Sequence, residues 1–136
     1  MMNSTLQNSN MRNAMRKVLI VDDSQLILRS MQNIFSRIGF EVHTASDGQT
    51  GLDHANDINP DLIVTDLHMP GMDGVAFLNS LKAKDTLANI PTFMISTESK
   101  PSFREKAADA GAVAWLEKPI IPDDLLNSLR SIFPGL

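Results

Sequence analysis

Four short runs constrain this chain more than any other feature: VLIV (18–21), LIV (62–64), FMI (93–95) and VAWL (113–116). Each is apolar at every position, so neither face of it is suited to water. A strand buried on both faces belongs in a parallel sheet covered by helices on both sides. A fifth run, EVHTA (41–45), mixes polar and apolar residues and suits an edge strand.

Helical patterns lie between the runs. Ile27, Met31, Ile34, Phe35 and Ile38 share one face, and Gly39 follows as a stop. A weaker helix is predicted over 48–58, with Asp47 as cap and Pro60 beyond. A third carries Phe77, Leu78 and Leu81. In the fourth, SFRE has capping-box form at Ser102 and Glu105, with Phe103, Ala107 and Ala110 inward and Gly111 as the end. The last takes Asp123 as cap, turns Leu125, Leu126, Leu129 and Ile132 inward, and stops at Pro134. Strand and helix alternate five times, which predicts an α/β fold with a parallel sheet and right-handed crossovers.

At 136 residues the chain has the size of one domain with a real core. Its net charge of −4 and lack of a dense Lys/Arg patch argue against nucleic acid as a partner. The absence of cysteine excludes disulfides, thiolate metal sites and cysteine nucleophiles. No run approaches the roughly 18 apolar residues of a membrane span, and the N-terminus lacks a signal-peptide core. The expectation is a cytoplasmic protein with no membrane partner. Residues 1–15, MMNSTLQNSNMRNAM, are polar and Asn-rich and read as a flexible tail, with the domain over 16–136. A translation start at Met11 or Met15, or a short partner-binding arm, are the other readings of that segment.

Ligands of open parallel α/β sheets bind at the carboxyl ends of the strands, near the switch in strand order. Strand one ends in Asp22 and Asp23, strand three in Asp66, strand four in Ser96 and strand five in Lys118. If the strand order is 2-1-3-4-5, these residues meet above one edge. Three close carboxylates repel one another unless a cation joins them or a pKa shifts. All-oxygen ligation points to a hard ion, Mg²⁺ in particular. With Lys118 as a point positive charge and Ser96 as a small donor, such a site suits a phosphoryl group arriving on a carboxylate, with Asp66 as nucleophile. Taken singly, each element is ordinary: DD after a strand caps helices, a strand-end Asp is often just solvated, and KP is common in loops. Their joint placement at the ends of successive strands carries the reading.

In VLIVDDS, LIVTDLHMPGMDG, PTFMIST and WLEKP, in that order and spacing, the chain resembles the receiver domain of bacterial two-component response regulators over about residues 16–133. The resemblance implies a flavodoxin-like (βα)5 fold with a five-stranded parallel sheet. It also implies that Asp66 is the phosphoacceptor. Asp23, Asp66 and the backbone carbonyl of His68 would ligate Mg²⁺, and Asp22 would act mainly through metal-bound water. Lys118, ahead of a cis bond to Pro119, would pair with the phosphoryl group, and Ser96 would be the switch hydroxyl. Trp115 stands where the family's switch aromatic stands, and equally reads as a half-buried packing residue of strand five.

Ser96 stands where Thr is more usual, and Thr97 is larger than the Gly or Ala often found there. His68 and Glu98 flank the site at positions where the family tunes dephosphorylation. The implied partners are a histidine kinase or phosphotransfer protein as donor, and a downstream protein reading the face of helix four, strand five and helix five. Ile120 and Ile121 belong either to that face or to packing under helix five. The resemblance fits a stand-alone phosphoacceptor of chemotaxis or phosphorelay type, catalysing only its own phosphorylation and dephosphorylation. A Mg²⁺-dependent phosphatase with an Asp nucleophile is the competing class. Its nucleophile would follow strand one in a D-x-D pattern, whereas this chain has VDDSQ. A flavodoxin-like cofactor binder would need a Ser/Thr/Gly-rich phosphate loop in place of this acidic one.

Overall fold

The computed structural model describes residues 15–136; the tail predicted for the N-terminus falls outside them except for Met15. Strands β1 (Lys17–Val21), β2 (Glu41–Ala45), β3 (Leu62–Asp66), β4 (Thr92–Ser96) and β5 (Ala114–Glu117) form one sheet in the order β2-β1-β3-β4-β5. All four pairings are parallel. Helices α1 (Gln25–Ile38), α2 (Gly48–Ile58), α3 (Gly74–Lys82), α4 (Pro101–Asp109) and α5 (Pro122–Ile132) connect and follow the strands. The flavodoxin-like architecture and the edge position of β2 agree with the sequence expectation.

The period of two along each strand divides the interior into two cores. Leu19, Val21, Ile63 and Met94 face α2, α3 and α4, where they meet Leu52, Ala55, Phe77, Leu78, Leu81 and Ala107. Val18, Ile20, Leu62, Val64, Phe93 and Ile95 face α1 and α5, where they meet Leu28, Met31, Phe35, Leu125 and Leu129. Each of the Val, Leu, Ile, Phe and Met side chains among them contributes roughly 1.5–3 kcal/mol when fully buried. In α1, Leu28 is buried although the sequence pattern did not select it, while Ile27, Ile34 and Ile38 pack at the margin. Leu87 and Ile90, in the α3–β4 connection, also join the core.

Two helix starts differ from the sequence reading. Ser102 and Glu105 form no capping box: α4 begins at Pro101, with Lys100 at its cap position and no side-chain cap bond. Asp123 is not the cap of α5, which begins at Pro122 after Ile121. The reason is the same in both. Proline lacks an N–H and has its φ already set, so it takes the first helical position. Asp123 and Asp124 then lie in the first turn, where the helix dipole favours negative charge.

Asp73 does cap α3: its Oδ1 accepts from the Ala76 N–H at 2.8 Å. That cap ends the loop running from the strand end at Asp66. Asp73→Ala is expected to lower stability by about 1 kcal/mol. In urea unfolding the midpoint falls while the slope is unchanged; an unchanged midpoint would show that the cap is dispensable.

Candidate functional site

The strand order places the end of β1 beside the end of β3, and the chemistry gathers there. Asp22, Asp23 and Asp66 each offer an oxygen, and these oxygens lie within 4.8 Å of one another. Asp22 is 0% exposed and Asp66 6%, whereas Asp23 faces solvent. Asp22 is held by its local backbone: its Oδ1 accepts from the Ser24 N–H at 2.8 Å. Ser24 in turn caps α1, its hydroxyl accepting from the Ile27 N–H at 3.3 Å.

Lys118 reaches into this cluster from the loop just after β5. Its Nζ lies 2.8 Å from Asp22 Oδ2 and 3.2 Å from Asp66 Oδ1. Asp22 Oδ2 is buried and has no well-angled hydrogen bond, so the ammonium meets it as an ion pair. Lys118 leaves β5 anchored, its N–H donating to the Ser96 carbonyl at 2.9 Å, and its bond to Pro119 is cis as expected.

Burial, reinforced by the Asp22 carboxylate, holds the Asp66 carboxyl above the usual carboxylate range against the opposing pull of Lys118. For Lys118, burial acts to lower the pKa, but Asp22 and Asp66 outweigh it and the ammonium is held above the usual lysine value.

Ser96 is buried at the end of β4, its hydroxyl accepting from the Glu98 N–H at 2.9 Å. His68 is exposed at the rim, with Nε2 at 3.5 Å from Glu98 Oε1 and its ring edge-on to Phe103 at 5.3 Å. The partial burial of Glu98 opposes ionisation, but the Lys100 N–H and the His68 imidazole hold its carboxyl below the usual range. Trp115 stands apart from the carboxylates, half-buried against the α2–α4 core, with Arg104 at 5.8 Å from its ring. Its indole Nε1 is buried without a hydrogen-bond partner. With Arg104, Glu117, Lys118, Ile121 and Asn127 it lines an open cleft of about 500 Å³ between α4, β5 and α5. Ile120 packs into the α1–α5 core, whereas Ile121 is 56% exposed.

The donor set fits Mg²⁺. Three carboxylates and one ammonium leave two negative charges, which a divalent ion balances, and all the donors are hard oxygens. Two residues tied to the site were missed in the sequence. Thr65 is a buried polar residue inside an otherwise apolar run, and Gly74 follows the cap of α3. A hydroxyl in LIVTD was the available signal for the first. No local pattern marks Gly74, whose close approach to the strand end exists only once α3 packs there.

Comparison with known proteins agrees with this geometry. The chain matches the response regulator receiver domain over residues 18–130. It is 36% identical over 121 residues to chemotaxis protein CheY-3 of Vibrio cholerae, covering 88% of this chain and 93% of that protein. It is 35% identical to the transcriptional regulatory protein PrrA of Mycobacterium leprae, covering 85% of this chain but 49% of that regulator's length. Among solved structures, the chemotaxis protein CheY4 of Vibrio cholerae superposes with a TM-score of 0.82 at 35% identity, covering 86% of this chain and 98% of that one. The chain belongs to the response regulator receiver family, whose members are signalling proteins. Among the described residues, no helix is long and apolar enough to cross a membrane.

Proposed function

We propose that Asp66 accepts a phosphoryl group from a phosphohistidine of a histidine kinase or phosphotransfer protein. The observation that carries this reading is the Lys118 ammonium lying between Asp22 and Asp66 at the ends of the central strands. An Asp66 oxygen attacks phosphorus, the N–P bond breaks, and the imidazole leaves with the electron pair. Asp22, Asp23 and Asp66, with the His68 carbonyl, are the groups that would hold Mg²⁺. When bound, the ion neutralises phosphoryl oxygens. Lys118 takes up part of the new negative charge. Ser96, whose hydroxyl accepts from Glu98, keeps its own proton free to donate to a phosphoryl oxygen. His68 and Glu98 sit at the entrance and govern how long the acyl phosphate survives hydrolysis.

The output is protein–protein contact through the α4–β5–α5 cleft, in a chemotaxis or phosphorelay system. Trp115 lines that cleft and is the switch aromatic in this reading. Its buried, unpartnered indole N–H supports a side chain that gains an acceptor in a second state.

Incubation with acetyl phosphate and Mg²⁺, followed by intact mass, tests the assignment. An acid-stable, base-labile phosphoryl adduct is expected in the wild type and none in Asp66→Asn. No adduct from acetyl phosphate or from a histidine kinase would overturn it, and rapid turnover of small phosphate esters would point to a phosphatase instead.

A further inference from the structure

Two features converge on one atom outside the carboxylate cluster, the main-chain carbonyl oxygen of Asp66. The buried Thr65 hydroxyl donates to it at 3.0 Å. Gly74, the first residue of α3, packs directly over it. A Cβ at Gly74 would run into this oxygen and lie 2.8 Å from Met94 Sδ. The other side of the same peptide group is also held, because the Leu67 N–H donates to the Ile95 carbonyl of β4 at 3.0 Å. One residue further on, the Leu67 carbonyl accepts from the Gly74 N–H at 2.8 Å. The peptide joining Asp66 to Leu67 is therefore clamped at its oxygen and at its nitrogen. Its orientation sets the backbone at Asp66, and with it the direction of the carboxylate.

A buried threonine in a strand needs a partner for its hydroxyl. Thr65 finds its partner on the adjoining residue that carries the chemistry. On its own face of the sheet it stands with Ile63, toward α3. The missing side chain of Gly74 lets α3 approach closely enough to enclose the bond. The hydroxyl and the glycine thus act on the same peptide from different elements.

We propose that Thr65 is a positioning residue for the reaction at Asp66. Its hydroxyl fixes the 66–67 peptide under Gly74 and so aims the carboxylate at the space shared with Asp22, Asp23 and Lys118. The proposal rests on the reading of Asp66 as phosphoacceptor. Small misplacements of a reacting group are costly, on the order of a hundredfold for about 1 Å.

The test compares wild type, Thr65→Val and Thr65→Ser for adduct formation from acetyl phosphate at saturating Mg²⁺, well below each melting temperature. Thr65→Val keeps the shape and loses the donor; its rate at saturating acetyl phosphate is expected to fall about fivefold, the ratio matching one net hydrogen bond. The half-saturating concentration stays unchanged. Thr65→Ser, which keeps the hydroxyl, is expected to restore the rate to within about twofold of wild type. A Thr65→Val protein that melts lower but reacts at the wild-type rate would show a purely structural role and overturn the proposal. A valine rate that serine does not rescue would overturn it too. Absence of any adduct in the wild type removes the phosphoacceptor reading itself, and the positioning role with it.

Discussion

Asp66→Asn is expected to abolish the phosphoryl adduct and, in the absence of Mg²⁺, to raise the melting temperature at neutral pH. The gain is expected to be about 3–5 °C, the size of an ordinary single-site effect in a domain of this length. Its cause is the crowding of Asp66 by burial and by the Asp22 carboxylate, which together hold the Asp66 carboxyl above its ordinary value. The folded protein therefore binds this proton more tightly than the unfolded chain does. The stability that follows is fully present in acid, below the unfolded-state value. It is lost as pH rises through the raised folded-state value, above which ionised Asp66 opposes folding. Asparagine removes that opposition, so the two proteins converge in acid and separate toward neutral pH. Mg²⁺ binds the folded carboxylates and stabilises the wild type more than the variant, narrowing the gap. Thermal unfolding across pH, in chelator and in Mg²⁺, measures all of this. An Asn variant that melts no higher than wild type at pH 7 in chelator would refute the electrostatic account.

Lys118→Met acts in the opposite direction and more strongly. The substitution keeps an apolar stem but removes the ammonium that lies between Asp22 and Asp66. It leaves one carboxylate with no exposure and another nearly covered. Breaking a buried ion pair from one side is expected to cost about 3 kcal/mol, which lowers the melting temperature by roughly 10 °C. The wild-type lysine is held above its ordinary pKa because Asp22 and Asp66 outweigh the burial that would lower it. Its stabilising contribution is therefore complete below the unfolded-state lysine value and is lost only in strong alkali. The deficit of Lys118→Met should shrink as acid protonates Asp66, and added Mg²⁺ should recover part of it. Because the two residues touch, Asp66→Asn in the Lys118→Met background is expected to recover more stability than Asp66→Asn does alone. A Lys118→Met protein with wild-type stability in chelator would mean that solvent already screens the pair.

The contrast between these variants and the Asp73 cap shows which local features could be read in advance. Asp47 was legible as a cap because its side chain bonds its own helix three residues on, the same local bond that Asp73 makes. The starts of α4 and α5 were misread because Ser102 and Asp123 satisfy the same pattern, while a neighbouring proline had already taken the first helical position. Leu28 of α1 was missed because the buried face of that helix is set by how it lies on β1 and β2, and periodicity along α1 alone does not carry that information.

The candidate site divides in the same way. Asp22, Asp23, Asp66, Ser96 and Lys118 could be named from sequence because each closes a strand or follows it within two residues, and a strand's end is a local property. Thr65 could not be assigned a role, since its partner is a carbonyl enclosed only once α3 packs over it. Trp115 likewise had two readings, because its place depends on the packing of α4 against β5.

By itself, the sequence determined the five strands, the double-sided burial of β1, β3 and β4 and the side chains at the carboxyl ends, since hydrophobic period and chain chemistry act over a few residues. Only the tertiary structure decided that the ends of β1 and β3 stand side by side and that Lys118 reaches across from β5 to lie between two carboxylates. Those contacts join residues far apart in the chain. They exist because helices on both faces bury the sheet in one strand order, and a charge cluster is shaped by distances that no local pattern encodes.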